Sequence, residues 1–203
     1  PYTTLFRSTS DWFYELKNIG AQIKSPVELL VGIQRMLPMK LENEEALMLL
    51  QRVLGQLLFY PPNVAGWQPF RQNPQYYRMW INGDTLRNRN LFTDVLTAYF
   101  VPAGTDQLRI DLLAFAAQFS DPGNPVTLVE DISKLLFPQP LSATKKFLLK
   151  SILLSGLAAD SYWTAAWNAY VADPTNPMVQ DVVKSRLLAL HLYMTRLAEY
   201  QLA

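Results

Sequence analysis

Apolar residues return every three or four positions along most of this chain, and the residues between the runs are those that begin and end helices. After an extended or irregular start, the run DWFYELKNI places Trp12, Phe13, Leu16 and Ile19 at helical spacing between Ser10, a candidate cap, and Gly20. Ser25-Pro26-Val27-Glu28 predicts a helix start of unusual completeness. The serine is the N-cap, the proline takes the first helical position, and the glutamate closes a capping box ahead of a helix stopped by Pro38. A third helix opens at Asn43, with Glu44 and Glu45 in its first turn. It carries Leu47, Leu50, Val53, Leu54, Leu57 and Leu58 on one face and runs to Pro61-Pro62.

Further on, Asp84 or Thr85 caps a helix over TLRNRNLFTDVLTAYF that stops near Pro102. Thr105-Asp106 starts another over QLRIDLLAFAAQF. Beyond the Asp121-Pro122-Gly123 turn, Asn124-Pro125, Ser142, Ser161 and Asn176-Pro177 each cap a further apolar run, the last reaching Tyr200. The pattern predicts an all-α fold, an irregular bundle of about nine helices with one long ordered aromatic loop. It reads as a single domain over residues 1–203, with a soft subdivision at 120–125. Two short apolar patches leave room for a minor ribbon.

Composition narrows the chemistry. The 203 residues suffice for a core without a metal or disulfide staple. Eighteen Lys and Arg against seventeen Asp and Glu leave a net charge of +1, which disfavours nucleic acid as a partner. The chain has no cysteine, so disulfides, thiolate metal sites and a Cys nucleophile are excluded. Its single histidine, His191, rules out a zinc site built from His and Cys, and reads as a hydrogen-bonded structural residue of the last helix. No apolar run reaches ~18 residues, so no membrane span is expected. The start PYTTLF has neither Met nor a signal pattern, which suggests an internal or processed piece. There is no phosphate loop, dinucleotide fingerprint or Gly-x-Ser-x-Gly elbow, and no spacing forces two acids into one pocket. Neither a cofactor nor a metal is expected.

The stretch between Pro61 and Gly83 lacks periodicity but is too aromatic for a disordered segment. Trp67, Tyr76, Tyr77 and Trp80 beside Arg71 and Arg78 have the character of a surface that stacks on and clamps a ligand. In the competing reading the two indoles plug the core and pin the loop. Asn63 fits a tight turn with Gly66, which would aim Trp67 inward; contact with a ligand through Asn63 or Asn82 is the alternative. Arg87 and Arg89, with Arg71 and Arg78 near them in sequence, could form a positive patch that receives a carboxylate or phosphate; in the competing reading, favoured because they oppose the dipole of the helix they begin, they pair internally with Asp84, Asp94 or an acidic helix face.

The segment LGQLLFYPPNVAGW, followed by MWINGDTLRNRNLF, resembles the C-terminal part of the bacterial DUF1800 family. Gly55, Gln56, Leu58, Phe59, Pro61, Pro62, Asn63, Val64, Gly66 and Trp67 match that family's pattern. Trp80, Ile81, Asn82, Leu86, Arg89 and Asn90 continue the match. The resemblance spans most of residues 20–203. It implies the C-terminal portion of a larger, exported protein, periplasmic or extracellular, whose first partner is its own upstream region. It supplies no catalytic residues. The loop QPFRQNPQYYRM departs from the short, glycine-rich family form.

Three functions are consistent with these residues. The first is a non-catalytic binding module that holds another exported protein or an extracellular polymer through residues 60–90. The second is one wall of a hydrolase-type site completed by an upstream region. The third is a purely structural bundle. A deep polar pocket beside Trp67 would favour the enzyme, a shallow aromatic strip the binder, and broad apolar exposure on the first helices a surface covered by another region.

Overall fold

The computed structural model describes residues 8–37, 39–41, 44–68, 76–97 and 108–203, and for Tyr76 and Tyr77 the backbone alone. The fold is all-α, with eight α-helices among the described residues and one two-stranded ribbon. Pro26–Met36 (α1) starts as its sequence dictates. The Ser25 hydroxyl accepts the Glu28 N–H, and the Glu28 carboxylate accepts the Ser25 N–H at 2.7 Å. Asn124 caps Pro125–Leu136 (α5), Ser142 caps Ala143–Leu153 (α6) and Asn176 caps Pro177–Arg196 (α8), all as expected. Ser161–Ala172 (α7) begins one residue earlier than its signal: Ser161 is its first residue and not its cap, and Asp160 before it makes no capping bond but meets Lys150 at 2.9 Å.

Four expectations are corrected. Residues 11–18 form two short 3-10 turns, Asp11–Tyr14 and Leu16–Asn18, in place of one helix. Glu15 between them is extended and Ser10 makes no capping bond, so nothing offsets the cost of helix nucleation. The helix Glu44–Val53 (α2) stops well before the prolines. Gly55, at φ +92°, closes a Schellman motif in which Gln56 N–H reaches the Gln51 carbonyl. Leu58, beyond the break, is exposed, and Val53, the last helical residue, is exposed as well although the apolar period placed it on the buried face. Gly83–Thr97 (α3) is capped by Asn82, not by Asp84 or Thr85. The segment predicted as helix from Thr105 holds a strand, Leu108–Ile110 (β2), paired antiparallel with Met39–Leu41 (β1). The helix Leu112–Ala116 (α4) follows, capped by Asp111. A minor ribbon is thus present, with one of its strands in a segment that the periodicity assigned to helix. The caps expected at Asn43 and Thr105-Asp106 and the stops at Pro38 and Pro102 lie outside the described residues.

α8 is the axis of the bundle. Val183, Leu187, Leu190, His191, Met194 and Thr195 form its buried stripe, and it touches α3, α4, α6 and α7. The buried apolar residues join in one cluster from Leu29 on α1 to Tyr200 beyond α8. Trp163 is fully buried, and its indole N–H donates to the Pro122 carbonyl at 2.8 Å, which ties the 121–123 turn to α7. Among the described residues no helix is long and apolar enough to cross a membrane.

Candidate functional site

The turns between α2 and α3 are built from local hydrogen bonds. After the Gly55 turn, the Gln51 side chain accepts the Leu58 N–H at 2.9 Å, and the Gln56 side chain accepts the Val27 N–H of α1 at 3.1 Å. Asn63 folds back on itself: its side-chain oxygen accepts the Ala65 N–H at 2.9 Å, its carbonyl accepts the Gly66 N–H at 3.0 Å, and Gly66 sits at φ +91°. Trp67 is thereby turned onto Trp80, with ring centroids 5.7 Å apart and planes tilted by 55°. Asn82 accepts the Asp84 and Thr85 N–H groups, while the Thr85 hydroxyl accepts the Asn82 N–H and donates to the Trp80 carbonyl.

These bonds give each candidate residue a place. Trp67 and Trp80 come together, half-buried, as a pin between loop and helix. Asn63 and Asn82 are exposed and serve a turn and a helix cap. Arg78 is exposed, in the 3-10 turn Tyr76–Trp80, and is not a free cation. Tyr76 and Tyr77 contribute backbone to that turn, and Arg71 lies outside the described residues. Among the described residues these side chains do not line a common pocket.

What the loop does present is apolar. Phe59 and Tyr60 are 91% and 75% exposed, Leu58 is half-exposed and Val64 fully so. Phe59 also sits at φ +65°, a left-handed conformation that costs a bulky side chain about 1 kcal/mol. A strained backbone carrying an aromatic ring into water is the opposite of what folding alone selects.

The arginines behave differently from their expected salt bridges. Arg89 is fully buried, and its partners are neutral: Nη2 donates to the Lys24 carbonyl at 2.7 Å and Nη1 to the Gln201 side-chain oxygen at 3.2 Å. Beside it, residues 22–24 pair with the C-terminal residues through the Ile23–Leu202 bridge and the Lys24 N–H to Gln201 carbonyl bond. The Lys24 ammonium donates to the Tyr200 carbonyl and lies 4.5 Å above the Tyr200 ring. Burial, opposed by Glu28 and reinforced by Arg89, holds Lys24 down at about 8. Burial lowers Arg89 to about 10, so it stays charged at neutral pH. Asp94 pairs with Arg196 instead, through two bonds of 3.1 and 2.6 Å.

A cavity lies next to this pair. It is an open groove of about 590 Å³ lined by Gly83, Leu86, Arg87, Asn90, Leu91 and Asp94 of α3, with Arg196 of α8 opposite. The α3 positions follow i, i+3, i+4, i+7, i+8, i+11, one face of a helix. Of these, only Arg87 had drawn notice as a candidate for chemistry. The spacing itself was visible in the sequence, but not that Arg196 would close the far side. Among the described residues no three His, Asp or Glu side chains are grouped as metal ligands. His191, 3% exposed, packs edge-on to Phe115 with its Nε2 unpartnered, so the expected hydrogen bond is not made there. Burial lowers it to about 4.

An all-α bundle packed around α8, with the Pro-Pro-Asn turn and its tryptophan pair at its side, defines the class. The chain belongs to the DUF1800 family, described as a protein of unknown function, which it matches over residues 2–202. No curated protein and no solved structure matches it.

Proposed function

We propose that the protein is a non-catalytic binding module whose contact surface is the region from Leu58 to Leu91. The observation that carries this reading is the run Leu58, Phe59, Tyr60 and Val64. These side chains reach into solvent from a loop fixed by the Gly55 and Asn63 turns and by the Trp67–Trp80 pair. Contiguous exposed apolar groups on a rigid base mark interaction surfaces, since neither folding nor solubility gains from them. An exported setting accords with the family's character, and the partner is then another exported protein or an extracellular polymer. The test is a thermal-shift screen of glycans, peptides and anions against the protein and against a Phe59→Gly, Tyr60→Ser variant. A ligand that stabilises the parent and not the variant supports the reading. A ligand bound equally by both places the contact surface elsewhere and ends it.

A second reading has its own observation. Trp12, Phe13, Tyr14 and Leu16 are all about half-exposed or more in the 3-10 turns near the N-terminus. That surface suits burial against an upstream region of the same protein, in the manner of a domain interface. Replacing Trp12, Tyr14 and Leu16 by Ser in a longer form of the protein should lower its melting temperature while leaving that of residues 1–203 alone. Equal effects on both would remove this reading.

A further inference from the structure

We draw no further inference here: the strongest candidate, the buried side-chain cluster in which the Arg89 Nε and the Gln201 side-chain nitrogen both lack a partner beside Lys24, is shielded from solvent, and nothing in the structure shows what would occupy it.

Discussion

Arg89 donates a 2.7 Å hydrogen bond to the carbonyl of Lys24, sixty-five positions earlier in the chain, and does so from complete burial with no carboxylate in contact. The same guanidinium holds Gln201, so one side chain fastens α3 to both partners of the short pairing that joins residues 22–24 to the C-terminus. A buried cation whose hydrogen-bond partners are neutral, with Glu28 acting on it only through space, is expensive, and its removal would orphan the Lys24 carbonyl and the Gln201 side-chain oxygen at once.

Arg89→Met should therefore destabilise the protein by about 3 kcal/mol, measured by urea unfolding. Arg89→Lys should recover little of this, since a point charge on a single stem cannot span the Lys24 carbonyl and the Gln201 amide together. A variant with unchanged stability would show that the fastening is incidental.

Lys24 beside it gives stability an alkaline dependence. Its folded value of about 8 lies below the unfolded value of 10.5, so between them the unfolded chain holds more protons. Stability should rise as pH increases from 8 toward 10 and level off above it, where ionisation of Tyr200 in the unfolded chain, its phenol kept protonated by burial in the fold, opposes the further rise that the lowered Arg89 contributes. Lys24→Met should remove the rising limb and leave stability at pH 7 unchanged or higher, because it deletes a like-charge neighbour of Arg89. Melting temperatures from pH 7 to 11 on both proteins check the point.

His191 acts at the other end of the scale. The folded residue binds a proton only near pH 4, the unfolded one near 6.5, so the stability contributed by its neutral form is whole above 6.5 and is lost as pH falls to 4. The loss is on the order of 3 kcal/mol at its limit. His191→Leu should flatten the melting curve between these values and cost little at pH 7, where it removes an unpartnered nitrogen from an apolar site. A variant that follows the parent's acid profile would assign the loss to other groups.

Phe59→Gly separates strain from function. Glycine adopts φ +65° without a steric penalty, so stability should stay level or rise by up to about 1 kcal/mol. Phe59→Ala keeps the strain and should show no such gain. If the glycine variant melts clearly lower, the ring supports the fold and does not belong to a contact surface.

Much of the helical architecture was legible before any coordinates. Ser25 with Glu28, Asn124 with Pro125, Ser142, and Asn176 with Pro177 each act within one turn of their own helix, so their meaning survives without tertiary context. The end of α2 was misread because the leucine period continues through Gly55, and only the left-handed turn there shows that the helix has stopped. The Asn63 turn was also foreseeable, since asparagine and glycine there favour a tight turn, but Trp67 and Trp80 lean half-buried on each other and do not plug the core as one reading had them.

The sequence alone determined an all-α chain, its main caps and its family, because capping and amphipathic period are properties of neighbouring residues. Tertiary structure decided the rest. A strand at Leu108–Ile110 exists only because Met39–Leu41 is there to pair with it. Arg89 is interior, and Arg87 two residues away is not, because a helix turns through 100° per residue and only the packed partner determines which face is covered. The groove depends on Arg196, brought from more than a hundred positions away, so no local pattern could have announced it.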